Sequence, residues 1–159
     1  MRPFLGISRQ EWRFLAVFLA SFFALFFLLI SIDLSGLTDA ITSLEAGLLH
    51  ALGIPVTVSG SFMVFGNGVV RVIAECTGLV MVILLFSLLI ATPMPSRRRF
   101  KAFVLFAPLL LLFNLIRLAV TLVAFFRFAS SFEAVHVVLW VVDSAVVLGV
   151  WYYTYTSNW

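Results

Sequence analysis

Charge is scarce in this sequence. Only 11% of its 159 residues are Asp, Glu, Lys or Arg, against 64% hydrophobic residues and a mean hydropathy of +1.20. That balance excludes a soluble globular fold and makes the chain an integral membrane protein of one domain's length. Cysteine is nearly absent too. Cys76 is the single one, so no intramolecular disulfide can form, and the thiol is left for packing, metal ligation or nucleophilic chemistry. One cysteine and two histidines, with no ligand spacing on a shared element, make a poor metal set, and no metal or cofactor is expected. The basic residues stand singly or in one short juxtamembrane cluster. No basic stripe with interleaved aromatics exists to track a phosphate backbone, which excludes nucleic acid as a partner. No A-x-A-like site precedes Asp33, and the first apolar run exceeds the roughly 7 to 15 residues of a signal-peptide core, so it reads as a retained anchor.

What is present is arranged as four apolar spans of about 14–32, 77–93, 102–126 and 135–155, each read as a helix across a bilayer core of roughly 30 Å. The expected fold is an all-α integral membrane protein. It has four transmembrane helices, and an insert of about 33–74 carries an amphipathic helix and a small β-hairpin. In the insert, Leu37, Ile41, Leu44 and Leu48 recur at helical spacing while Asp39, Thr42 and Glu45 lie off that stripe. This predicts an interfacial helix, capped by Ser35 or Asp33 and ended by Gly53 and Pro55, which serves as a substrate-facing ledge or as a connector. Val56-Thr57-Val58 and Val69-Val70 are β-branched, and Asn67-Gly68 is the best short hairpin cue. Orientation follows from counting Lys and Arg. Arg2, Arg9, Arg13, Arg97, Arg98, Arg99 and Lys101 fall on one side, and Arg71 and Arg127 on the other. The first side is therefore expected to be cytoplasmic, with both termini inside and the insert outside. Trp151, Tyr152, Tyr153 and Tyr155 form an aromatic belt at the end of the last span.

This topology brings reactive residues to one face. Cys76 lies at the outer mouth of the second span, His136 at the outer start of the fourth, and Arg117 in the outer half of the third. An arginine within a span costs roughly 2.5 to 3.5 kcal/mol at a helix centre and marks function by default; its structural alternative is an ion pair with Asp143. A histidine beside a thiol raises the thiolate fraction and can later protonate a leaving amine. A buried guanidinium can hold a developing oxyanion or fix the substrate backbone. Together these types imply acyl transfer through a thioester. His50 is the reserve base. Glu75 is open between orienting a partner, binding Arg71 and marking the water boundary.

Glu75-Cys76-Thr77-Gly78-Leu79 opening one span, Asn114-Leu115-Ile116-Arg117 within the next and His136 opening the last resemble the three signatures of the exosortase and archaeosortase family. These are polytopic membrane transpeptidases of bacteria and archaea. The resemblance covers about residues 70–140, and the Glu-Cys-Thr-Gly wording leans towards the archaeal branch. It implies a cysteine transpeptidase of the prokaryotic cytoplasmic membrane. The substrates would be exported proteins with a C-terminal sorting signal, made of a short motif, a transmembrane helix and a basic tail. Cleavage at the motif would pass through a Cys76 thioester, and the acyl group would go to an amine-bearing acceptor, a lipid in the archaeal branch. The same resemblance makes Cys76 the nucleophile, has Arg117 and His136 complete the site, and has Asn114 position Arg117. The chain has fewer spans than larger members. Phe62, Phe65 and Asn67 are candidates for contact with the sorting motif. Two other classes remain open at this point: a small transporter or channel subunit with Arg117 and Asp143 lining a pathway, and a non-catalytic scaffold for partner helices.

Overall fold

The computed structural model describes residues 8–157. Helix α1, Arg9–Ser31, begins at a reciprocal cap: Glu11 N donates to Ser8 Oγ at 3.2 Å and Ser8 N to Glu11 Oε2 at 2.6 Å. The helix runs for 23 residues, about 34 Å at 1.5 Å per residue, and is apolar from Phe14 onward apart from two serines. Helix α2, Ser35–Ala51, and a three-stranded sheet form the insert. Helices α3 (Leu79–Ala91), α4 (Ser96–Arg127) and α5 (Phe132–Thr156) complete the chain.

Among the described residues three helices, α1, α4 and α5, are long and apolar enough to cross a membrane. The expected second span, 77–93, is cut to the 13 residues of α3, about 20 Å against a core of roughly 30 Å. Both ends are set by backbone chemistry. Gly78 turns at φ 84 before the first residue of α3, and Pro93 and Pro95 follow Thr92, where another helical turn lacks donors. The short helix is nonetheless the centre of the bundle, in contact with α1, α4 and α5. Leu85, Leu89, Leu110 and Val147 are almost fully buried along it.

The basic cluster lies in the first turns of α4, and two of its arginines reach carbonyls at and beyond the ends of α3 and α5. The Arg98 guanidinium donates to the carbonyls of Thr154, Tyr155 and Ser157 at the end of α5, and Arg99 donates to the Thr92 and Met94 carbonyls at 3.2 Å. These carbonyls have no partner within their own helices, and a cation there also complements the helix dipole. Trp151 completes this end by donating from Nε1 to Thr92 Oγ1 at 2.7 Å and packing against Phe14 at 6.0 Å.

At the opposite end the structure settles one point of the insert and departs from expectation at another. First, the apolar stripe of α2 mostly faces away from the protein. Leu37, Leu44 and Leu48 are exposed, and of the four stripe residues only Ile41 is buried, alongside Thr38, Thr42, Glu45, Ala46 and Leu49. The leucines are free to face lipid, and two threonines are accommodated because their hydroxyls bond within the helix, Thr42 Oγ1 to the Thr38 carbonyl at 2.7 Å and Thr38 Oγ1 to that of Ser35 at 3.0 Å. Second, the hairpin is a three-stranded antiparallel meander of β1 (Thr57–Ser59), β2 (Phe62–Phe65) and β3 (Gly68–Arg71). The second turn falls at Gly66-Asn67, because Gly68 pairs with Phe65.

The sheet is fastened to the top of α4. Met63 and Phe65 point into a cluster with Ile41, Leu49, Val56, Leu118 and Leu122, and Phe65 meets Phe125 edge-on at 5.4 Å. Asn67 Nδ2 donates to the Phe125 and Phe126 carbonyls at 2.9 and 3.3 Å, serving the orphan acceptors at the helix end.

Candidate active site

The chain leaves β3 through Val72, whose N–H donates to the Ser61 carbonyl at 2.8 Å, and enters a 3-10 turn, Ala74–Thr77. Two local bonds shape the turn: Cys76 N to the Ile73 carbonyl at 2.9 Å, and Thr77 Oγ1 to that of Ala74 at 2.6 Å. Asn114 on α4 then donates from Nδ2 to the Cys76 carbonyl at 2.8 Å. Asn114 therefore positions the cysteine turn, whereas the sequence had suggested it would position Arg117. Gly78 allows this approach. A Cβ there would lie 2.9 Å from Asn114 Cβ and 3.0 Å from its Cγ, and the residue also occupies positive φ, so glycine is required twice over.

One turn along α4, Arg117 is 3% exposed, and its Nε lies 3.3 Å from Asp143 Oδ2 on α5. The side chain turns across the bundle to Asp143 instead of reaching outward. The ion pair approaches only the Nε side of the guanidinium, and Nε, Nη1 and Nη2 are all buried with no hydrogen-bond partner. Unmade donors on a buried cation are costly unless a ligand uses them. His136 is one helical face above Asp143. Its ring stacks on Phe132 at 5.9 Å, Phe132 packs edge-on against Phe125 of α4 at 5.2 Å, and Nδ1 is buried without a partner. No hydrogen bond among the described residues joins the Cys76 thiol, the Arg117 guanidinium and the His136 imidazole. Arg117 is the common neighbour, since its charge acts on both Cys76 and His136.

The transmembrane exosortase family model (Exosortase_EpsH) matches residues 4–153. The chain belongs to the exosortase family. No curated protein and no solved structure matches it. The family match spans nearly the whole chain, including the three segments that carry the resemblance, and does not extend to the archaeal branch in particular. The exosortase family supplies the general class, a membrane-embedded transpeptidase concerned with protein sorting.

In this family member the thiol environment is divided. Burial pushes the Cys76 thiol above its ordinary value, the Ile73 hydrogen bond and the Arg117 charge pull it back, and Glu75 adds to the rise. Glu75 has no ion pair with Arg71 among the described residues. Instead Arg71 lies over the Phe62 ring at 5.4 Å. Glu75 links two spaces. One is a cavity of about 40 Å³ shared with Asn114 and Asp143, and the other a cleft of about 270 Å³ bordered by Asp33, Ser35, Ser61 and Arg71. The cleft mixes these polar groups with aliphatic walls such as Leu29, Ile32 and Val72 and includes the segment just before Cys76.

The remaining sequence candidates do not line this cleft. Phe62 is exposed, Phe65 is buried beneath the sheet, and Asn67 is exposed while held by α4. His50 is exposed with its Nε2 2.8 Å from the Val56 carbonyl, a bond that ties the end of α2 to the entry of β1. Sequence reasoning missed two residues. Gly78 had a visible signal, its place directly after Cys76-Thr77. Glu45 had none, because its burial depends on which face of α2 meets α4.

Proposed function

We propose that this exosortase-family protein is a membrane-embedded cysteine transpeptidase that cleaves the C-terminal sorting signal of exported proteins and passes the acyl group to an amine-bearing lipid. Cys76 Sγ attacks the carbonyl carbon of the scissile amide while His136 accepts the thiol proton. The carbonyl oxygen becomes an oxyanion on the Arg117 Nη donors, and collapse breaks the C–N bond as His136 returns the proton to the leaving amine. The resulting thioester is attacked by the acceptor amine, which forms a new amide and returns a proton to the Cys76 sulfur. Asn114 and Gly78 hold the Cys76 turn against α4, and Asp143 aligns the guanidinium. Both termini lie on the cytoplasmic side and the site on the extracytoplasmic side, in keeping with the Lys and Arg count. The cleft bordered by Arg71 and Glu75 receives the sorting motif.

The observation that carries this reading is the Arg117 guanidinium, buried and paired with Asp143 on its Nε side, with no hydrogen-bond partner on its nitrogens and with its charge acting on the Cys76 thiol. A transporter pathway built on the same ion pair has no use for the Asn114 bond to the Cys76 carbonyl. Co-expression with a sorting-signal substrate tests the proposal. The wild-type protein is expected to shorten the substrate and Cys76→Ala to leave it full length; equal processing by both rules out the thiol mechanism.

A further inference from the structure

Glu45 is an acid that the mechanism above leaves unused. It lies on the buried face of α2 with 1% exposure, and its Oε2 has no hydrogen-bond partner. A buried carboxyl oxygen without a donor is destabilising, so its retention calls for a donor from outside the chain. Glu45 lines a lateral groove of about 500 Å³ between α2 and α4, whose walls are Leu44, Leu48, Leu112, Leu115 and Ile116. Four of these, Leu44, Leu48, Leu112 and Ile116, are between 45% and 58% exposed, two of them on α4, which is long and apolar enough to cross a membrane. Burial pushes the Glu45 carboxyl up to about 7, and an ammonium arriving beside it would favour the ionised form.

Hydrocarbon walls and one acid together define an amphiphile. A free cation would meet the acid and waste the walls, and an apolar helix would cover the walls and leave the acid unmet. We propose that this groove seats a bilayer lipid with a primary-amine head group, its chain against Leu44, Leu48, Leu112 and Ile116 and its amine on Glu45. Two contacts connect the groove with the thiol. Leu115 lines it and also packs in the cluster that contains Cys76, and α2 touches the turn that carries Cys76. On the transpeptidase reading, and resting on it for this point alone, the lipid seated here is the acceptor, and Glu45 is a positioning residue that selects amines.

The test is lipid binding by the full chain carrying Cys76→Ala in detergent, read by native mass spectrometry. The probes are phosphatidylethanolamine and phosphatidylcholine with identical acyl chains. The ethanolamine lipid is expected to be retained about tenfold better, the worth of one charge-assisted hydrogen bond. Glu45→Gln should bring that ratio close to one, and Ile116→Trp, which fills the groove from α4, should expel both lipids. An unchanged ratio in Glu45→Gln, no preference in the parent protein, or retention of both lipids in Ile116→Trp overturns the proposal. Displacement of the lipid by an apolar helical peptide, equal with and without Glu45, also overturns it and assigns the groove to a partner helix. Because the measurement is made without the thiol, its failure leaves the Cys76 chemistry standing, and failure of that chemistry leaves the lipid preference to be read independently.

Discussion

Two seams along α4 hold polar residues between apolar helices, and they treat them in opposite ways. Where α4 meets the cysteine turn, Asn114 makes its bond to the Cys76 carbonyl and Gly78 closes against it. Where α4 meets α5, all three Arg117 guanidinium nitrogens, Asp143 Oδ1 and His136 Nδ1 have no hydrogen-bond partner. Satisfied polar groups make a seam rigid, and unsatisfied ones cost stability that a bound ligand can recover. The first seam fixes where the sulfur sits. On the proposed mechanism, the second holds the groups that meet charge developing on a substrate.

If that division is right, changes at the second seam destroy turnover with little effect on folding. His136→Ala is expected to lower substrate processing by roughly 10² to 10⁴, the usual worth of a general acid–base group. His50→Ala should leave turnover near normal and cost about 1 kcal/mol of stability for the bond to Val56; activity lost in His50→Ala and kept in His136→Ala would exchange their roles. Arg117→Lys is expected to cost about 10² or more in turnover, because one ammonium cannot both pair with Asp143 and present a planar fork to an oxyanion. Near-normal rates there would reduce Arg117 to a plain charge.

The first seam is broken by geometry. Gly78→Ala is expected to lower both the melting temperature and turnover, the latter by about tenfold. The new Cβ meets Asn114 and also adopts a conformation that costs roughly 1–2 kcal/mol for an L-residue. An intact melting curve with intact activity would show that the α3–α4 contact does not position the thiol. Alkylation of Cys76, the single thiol, compares the seams directly. Arg117→Gln should move its pH profile upward, since a positive neighbour that favours the thiolate is gone. Glu75→Gln should move it slightly downward, and an unmoved profile in Arg117→Gln would separate the guanidinium from the sulfur.

The smallest effect concerns Glu45, outside both seams. Its folded-state pKa is raised from 4.5 to about 7. As pH climbs between those values the unfolded chain loses the proton and the folded one keeps it. Stability therefore falls across that interval, and the deficit is complete above it. Glu45→Gln is expected to raise the melting temperature at pH 8 and leave it unchanged at pH 4; an equal change at both values would assign the effect to packing.

Much of the architecture was legible because a membrane chain advertises it. The runs beginning at Phe14, Ala102 and Val135 are long enough to cross, and α1, α4 and α5 occupy them. Gly53 with Pro55 ended α2 where expected, but its start differs: Leu34 holds the N-cap position with no side-chain cap bond, and Asp33, one residue earlier, accepts from Ser35 N at 2.9 Å. The second span was over-read because apolar composition persists through Thr77 and Thr92, although Gly78 and the prolines have already stopped the helix. Which face of α2 meets the bundle was not legible in the sequence. Periodicity reveals that one side is apolar, but beside lipid an apolar side can face outward as readily as inward.

By itself the sequence determined the class, the order of the elements and the three segments that carry Cys76, Arg117 and His136, because hydropathy, glycine and proline act locally along the chain. Only the tertiary structure decided which partner each polar residue takes: Asn114 the Cys76 carbonyl, Arg117 the Asp143 carboxylate through one edge, Asn67 the end of α4, and Glu45 none. Those choices depend on the approach of helices dozens of residues apart, where a missing Cβ at Gly78 or the rotation of α2 selects one contact and forbids another. No periodicity within a single segment contains that information.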